Sequence, residues 1–173
     1  QLEGGFEQDE ALAVMKTLDS TSIDLIDISG GTYFPGAPSS SDRAGSGPYF
    51  VDFAKRARTK TSKLLMVTGG FKTLQQAESA IRDGAADMVG LARALIVDPD
   101  LPKKWQAGHT PEPNFPRFDS PPEGGVTAWY TMQMTRIANN QSSLSPADLL
   151  NAIQVYEERD QRRRAAWAEH FAD

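Results

Sequence analysis

The sequence predicts an α/β protein built on a parallel sheet, and three observations carry that prediction. Short apolar runs alternate with stretches of helical periodicity in the order strand, helix, strand, helix, strand, helix. Two consecutive runs, Leu64 to Val67 and Ala86 to Gly90, end at small residues, Gly69 with Gly70 and then Ala92 beside Arg93. No GxGxxG string occurs, although a doubly wound nucleotide-binding sheet would normally carry one after its first strand. The barrel form of the parallel fold therefore fits better, because (β/α)8 barrels build phosphate sites from the loops after their seventh and eighth strands.

The opening QLEGGFEQDE has no strand of its own and reads as a loop, so a preceding segment is expected. Ala11, Leu12, Met15 and Leu18 then mark an amphipathic helix, with Glu7, Asp9 and Glu10 in its first turn where the helix dipole favours acids. Ile23 to Ser29 reads as a strand ending in Gly30 and Gly31. The loop TYFPGAPSSSDRAGSG after it is longer than an ordinary connector, so Tyr33 and Phe34 are either a pocket wall or loop packing. Pro48 is expected to open a helix in which Phe50, Phe53, Ala54 and Ala57 share a face, with Lys55, Arg56 and Arg58 toward its carboxyl end.

Leu64 to Leu95 is the organising stretch and reads as strand, helix, strand. Its first strand is apolar throughout, as expected of a parallel strand buried on both faces. Thr73 with Gln76 makes a capping box, Leu74, Ala77, Ala80 and Ile81 fall on one helix face, and Gly84 supplies a left-handed stop. Asp98 and Pro99 predict a short helix to Ala107, stopped by Gly108. Prolines 111, 113, 116, 121 and 122 keep the following connector extended. Val126 to Asn139, carrying Trp129, Met132, Met134 and Ile137, predicts a helix, and Ser145 with Pro146 and Asp148 opens a longer one with the stripe Leu149, Ile153, Tyr156. Glu158 with Arg162 and Asp160 with Arg164 stand four apart in the order that favours ion pairs. The expected organisation is residues 1–108 as a partial barrel domain, 109–125 as a proline-rich connector and 126–173 as a helical extension.

Composition narrows the function. The chain has 173 residues, 39% hydrophobic and 24% charged, which suits one core of ordinary size with polar loops. The longest uncharged apolar run, Ala94 to Val97, is far short of the ~20 residues of a membrane span, and the opening lacks the order of a secretory signal, so a cytoplasmic location is expected. A net charge of −5 gives no general attraction to nucleic acid or anionic lipid. Absence of cysteine excludes disulfides, thiolate catalysis and cysteine-held metal or iron-sulfur centres within this chain, and no metal site is expected. The histidines, His109 and His170, read as solvent or packing residues.

Two strand ends with small residues and one guanidinium suit a phosphate dianion. Bare backbone lets several N–H donors converge, and Arg93 adds a planar fork of charge-assisted hydrogen bonds. By residue type alone, the glycine pair more often makes only a tight turn and Arg93 more often only a surface ion pair.

The run VTGGF, followed by GAADMVGLARALIVDPDLP, resembles the end of the flavin-dependent barrel family of Old Yellow Enzyme, the NADH:flavin oxidoreductases. GGF followed by an acidic helix and SIDLIDISGGTY resembles the region of that family's fifth helix and sixth strand, so the likeness runs in order from Gly4 to Gly108. The resemblance implies the carboxyl-terminal part of a TIM barrel, strands 6 to 8 with their helices, followed by a helical tail. It implies FMN as cofactor, its phosphate held by backbone N–H groups of Gly69, Gly70, Ala92 and Arg93 and by the Arg93 side chain. Many members have glycine where this chain has Ala92, and only the backbone N–H is required there. Tyr33 and Phe34 are the substrate-pocket candidates in this chain.

The resemblance also implies what lies elsewhere. The family's substrate-holding His or Asn residues and its tyrosine proton donor come from earlier strands, so no catalytic residue is assigned here. The intact parent is expected to pass hydride from NADH or NADPH through FMN to an activated alkene. Iron-sulfur relatives place cysteines just after the barrel, and Leu101 to Gly125 has none, which favours the simple ene-reductase type. Unpaired sheet edges and a bare inner face imply a companion segment carrying strands 1 to 5, or self-association. The tail packs on its own barrel or crosses to a neighbour. Two other readings stand beside the oxidoreductase: a flavin-free isomerase or aldolase that binds a phosphorylated metabolite, and a non-catalytic half-barrel assembly module.

Overall fold

A computed structural model describes residues 5–30 and 47–171, and the chain divides into two compact units, Gln1–Pro113 and Asn114–Asp173. In the first unit the elements run α1 (Gln8–Asp19), β1 (Leu25–Ile28), α2 (Val51–Arg58), β2 (Leu64–Thr68), α3 (Leu74–Arg82), β3 (Met88–Gly90), α4 (Arg93–Val97) and α5 (Leu101–Gln106). The described strands form one parallel sheet in the order β1-β2-β3, as the alternation of runs predicts. Ile28 pairs with Val67, Val67 with Val89, and Thr68 with Gly90.

One face of this sheet is the core. Ile26, Ile28, Leu65 and Val67 point toward the helices and pack with Leu12 of α1, Ala54 and Ala57 of α2 and Ala80 of α3. Small alanines let the helices approach closely, and fully burying Leu65 or Val67 contributes on the order of 1.5–3 kcal/mol each. The other face is open. Leu25, Leu64 and Met88 alternate onto it and remain 38%, 52% and 49% exposed. The expectation that β2 is buried on both faces is therefore corrected: the described residues cover one face only, although its continuous apolar sequence is written for two.

Local sequence accounts for most boundaries. The Glu7 N–H donates to Glu10 Oε2 at 2.7 Å, opening α1. Thr73 Oγ1 accepts from the Gln76 N–H at 3.1 Å while Gln76 Oε1 accepts from the N–H of Lys72 at 2.8 Å and of Thr73 at 3.3 Å, completing the expected capping box. Gly84 takes φ +72 at the end of α3, where the Gly84 N–H donates to Ile81 O at 3.0 Å. Other boundaries differ. Helix α2 begins at Val51, not Pro48, because Tyr49 and Phe50 form a turn, although Phe50 still packs on the core shared with Ala54 and Ala57. Ile81 is 42% exposed and not part of the buried face of α3. Strand β3 starts at Met88 because the Ala86 N–H turns back to Ala80 O at 3.2 Å. The helix expected from Asp98 to Ala107 forms as α5, starting at Leu101 after Asp100, and a further short helix, α4, precedes it.

The amino-terminal edge of the sheet is tied by side chains. Asp87 Oδ2 accepts from the Leu65 N–H at 2.8 Å and from Arg58 Nη2, while Arg58 Nη1 donates to Lys63 O at 3.0 Å. The Leu65 N–H and then Arg58 hold the Asp87 carboxyl below the usual aspartate range. Asp19 Oδ1 accepts from Thr61 Oγ1 at 2.8 Å and from the Ser62 N–H at 2.6 Å, which lower its pKa in that order.

The second unit pairs α6 (Gly125–Ala138) with α7 (Leu149–Phe171). Gly125 allows the close approach, since an added Cβ would lie 3.0 Å from Ile153 Cδ1. Trp129, Met132 and Gln133 are buried, whereas Met134 is 47% exposed. Gln133 is satisfied by the loop between the helices, accepting from the Leu144 N–H at 2.8 Å and donating to Ser143 Oγ at 3.1 Å. Ser145 caps a 3-10 turn, Pro146–Asp148, that leads into α7. The expected Glu158–Arg162 and Asp160–Arg164 ion pairs are not formed: Glu158 accepts from Gln154, and Asp160 pairs with Arg159 at 3.0 Å. No helix among the described residues is long and apolar enough to cross a membrane.

Candidate functional site

The carboxyl ends of β2 and β3 bring the predicted residues together. Because Thr68 and Gly90 are register partners on adjacent parallel strands, the next residues of each chain segment, Gly69–Gly70 and Leu91–Ala92–Arg93, leave the sheet side by side. Gly69 has φ +123 and Gly70 φ +80, conformations that side chains rarely adopt, and Gly70 is itself buried. A Cβ at Gly70 would sit 2.5 Å from Gly47 O and 2.9 Å from Pro48 Cα, so glycine is required by close approach as well as by φ. Ala92 is exposed and Arg93 half-buried, at the start of α4.

Several neighbours of this turn were not singled out from sequence. Phe50 lies against both Gly30 and Gly69, its ring carbons 3.3 Å and 3.4 Å from the positions an added Cβ would take. Tyr49 stands at 3.4 Å from the same point on Gly69, and the two rings meet edge to face with centroids 6.1 Å apart. Thr68 Oγ1 donates to Asp27 Oδ1 at 2.9 Å. The same Oγ1 lies 1.9 Å from where a Cβ on Gly90 would be, so Gly90 is bare because Thr68 fills its place. Glycines at three strand ends were the available signal for Phe50, but the Thr68–Gly90 contact depends on strand register, which no local pattern encodes.

Tyr33 and Phe34 lie outside the described residues. Neither histidine belongs to these strand ends: His109 is exposed just past α5, and His170 is exposed on α7 with its ring 6.3 Å from that of Phe171.

Chemically, the paired turns can hold an anion. Backbone without side chains at two successive positions, a second turn beside it and one guanidinium are the groups a phosphate needs, at the end of the sheet where (β/α)8 proteins place their sites. By donor type, backbone N–H groups of a glycine turn beside one guanidinium, they fit the phosphate end of a nucleotide cofactor such as FMN. Fold and site thus define a class: a parallel α/β protein whose adjacent strand-end loops suit a phosphorylated ligand. The particular family follows from comparison. Residues 3–112 match the profile of the NADH:flavin oxidoreductase / NADH oxidase family, and the chain belongs to it. Membership brings a flavin, FMN, as cofactor and NADH as electron donor of the family.

An NADH-dependent flavin oxidoreductase of Hypocrea jecorina is 40% identical over 104 residues, covering 55% of this chain and 26% of that protein. A bilirubin reductase of Mediterraneibacter gnavus is 30% identical over 108 residues, 61% of this chain and 17% of that one. Among solved structures, a complex of 2-naphthoyl-CoA reductase with 2-naphthoyl-CoA matches at a TM-score of 0.55 and 26% identity, over 62% of this chain and 16% of that one. The chain therefore spans about a quarter or less of the length of these proteins.

Proposed function

We propose that this chain supplies strands 6 to 8 of a TIM barrel and, with them, the FMN phosphate site of an NAD(P)H-dependent ene-reductase. The observation that carries the reading is the register of Thr68 with Gly90, which sets the Gly69–Gly70 turn beside Ala92 and Arg93. In this role the backbone N–H groups of Gly69, Gly70, Ala92 and Arg93 hold the phosphate, and the Arg93 guanidinium neutralises it. Bound FMN supplies hydride transfer from NADH or NADPH to an activated alkene. The residues here orient and retain the cofactor at its phosphate end, and they neither touch the reacting carbon nor move the proton. The groups that do so, and the contacts that choose the acceptor, belong to earlier strands, contributed by a companion segment or by a second chain. Relatives named for bilirubin and 2-naphthoyl-CoA share this region, in keeping with an acceptor pocket built elsewhere.

The test is FMN binding by the assembled barrel, with and without Arg93→Ala. Loss of one charge-assisted contact of about 1.5–3 kcal/mol is expected to weaken FMN binding roughly ten- to a hundredfold, read from quenching of flavin fluorescence. A parent protein that takes up no FMN but binds a phosphorylated metabolite would instead be the isomerase or aldolase type. FMN affinity unmoved by Arg93→Ala would favour the non-catalytic assembly module, with a vestigial site.

A further inference from the structure

A second feature of the first unit lies on its helical side, away from the open sheet face. Helices α1 and α2 line a groove of about 660 Å³ whose walls carry Lys16 from α1, Lys55 and Arg56 from α2, and Lys60 from the turn just after α2. Its one carboxylate, Asp9, is engaged by Arg56 Nη2 at 2.6 Å. Four cations against one carboxylate leave a local charge of +3, in a chain whose net charge is −5.

Arg56 is taken up by Asp9 and by Gln8 Oε1 at 2.7 Å, and the three lysines are available. Lys55 reaches only the exposed Asp52, at 3.9 Å, a separation that contributes little in water. Among the described residues, Lys16 and Lys60 make no hydrogen bond or ion pair. Both are exposed, and between them the floor is apolar, formed by Leu12 and Ala13. Positions 9, 12, 13 and 16 occupy one stripe of α1, so the groove runs about 10 Å along the helix. That length matches three to four residues of extended chain at about 3.3 Å each.

We infer that this groove docks a short, extended acidic segment of a partner protein, with carboxylates at alternate positions facing the lysines and a small apolar residue over Leu12 and Ala13. Charge complementarity and length select this occupant. A nucleic acid carries closely spaced phosphates along its whole track, and beyond about 10 Å it would meet a surface of net negative charge. A flat anionic lipid surface would not enter a groove between two helices. The inference is independent of the flavin reading, and its test involves no flavin.

The probe is a fluorescein-labelled peptide, Gly-Glu-Ala-Glu-Ala-Glu-Gly, titrated with the full chain at low ionic strength and followed by anisotropy. Saturable binding is expected, weakened as salt rises and weakened at least about fivefold by the double substitution Lys16→Gln, Lys60→Gln. Charge reversal at the same positions, Lys16→Glu with Lys60→Glu, is expected to abolish it, while far-UV circular dichroism shows the helices retained. The inference is overturned if no saturable binding occurs, if the Gln-for-Glu peptide binds equally, if the double variant binds as well as the parent, or if an oligonucleotide of equal charge displaces the peptide more effectively than the peptide itself.

Discussion

Replacing Gly70 by alanine tests the geometry of the strand-end turn directly. Two costs add at this position. At φ +80 an alanine adopts the left-handed conformation, which costs about 1–2 kcal/mol. Its methyl group would also lie 2.5 Å from Gly47 O and 2.9 Å from Pro48 Cα, both backbone atoms, and relieving that overlap costs about 1–3 kcal/mol more. The expected total is about 2–5 kcal/mol, a large share of the ~5–15 kcal/mol stability of an ordinary domain. Gly84 is the internal control, because it has φ +72 but nothing within 4 Å of an added Cβ. Gly84→Ala should therefore show only the conformational cost, about 1–2 kcal/mol. Urea unfolding followed by far-UV circular dichroism compares the two. If Gly70→Ala costs no more than Gly84→Ala within about 0.5 kcal/mol, the close approach of residues 47 and 48 to the turn is wrong.

The remaining predictions concern the sheet itself. Gly90→Ala places a methyl group against the Thr68 side chain, 1.9 Å from Oγ1, and should destabilise by about 1–3 kcal/mol; combining it with Thr68→Gly should remove the steric part, and simple additivity in the double-mutant cycle would refute the contact. Asp87 has a folded-state pKa lowered by the Leu65 N–H and then Arg58, so its contribution is fully present above the unfolded value of about 3.9 and is lost as pH falls through the folded one. Asp87→Asn should accordingly be less stable than the parent at neutral pH, and the gap should close below about pH 4; a gap that stays constant into acid would contradict the assignment.

What the sequence made readable was local. Thr73 with Gln76, Gly84 and Ser145 with Pro146 are signals complete within a few residues, and each sits where the pattern puts it. Parallel alternation was also readable, because buried strands and amphipathic helices have different periods. Errors arose where a distant partner decides. Ile81 fits an apolar stripe but faces water, since burial depends on which neighbour reaches that side. The acidic and basic residues of α7 chose other partners because exposed pairs differ by only a few tenths of a kcal/mol. At the site, residue type and a family resemblance brought out Gly69, Gly70, Ala92 and Arg93. The supporting contacts of Tyr49, Phe50, Thr68 and Asp27 required the register of one strand against the next.

The two ends of the sheet divide the labour of the first unit. At the amino-terminal edge, Asp87, Arg58 and the Leu65 N–H tie α2, β2 and β3 together, and Asp19 ties the end of α1 to Thr61 and Ser62. Lys63 Nζ adds a bond to Thr21 O at 2.8 Å. These links use ordinary backbone and satisfied carboxylates, so they hold strand positions without cost in strain. At the carboxyl edge the chain instead spends conformational freedom on Gly69 and Gly70, whose positive φ values and close neighbours admit no side chain. A turn of that kind keeps its shape only if the strands beneath it cannot slide, because a one-residue slip of β3 would part Thr68 from Gly90 and move Ala92 and Arg93 away from the glycines. Anchoring at one end is thus what holds the glycine turn in place at the other. If the proposed phosphate site is the one used, Asp87→Asn should weaken FMN binding by the assembled barrel even though Asp87 touches nothing at that edge, which a fluorescence titration would read.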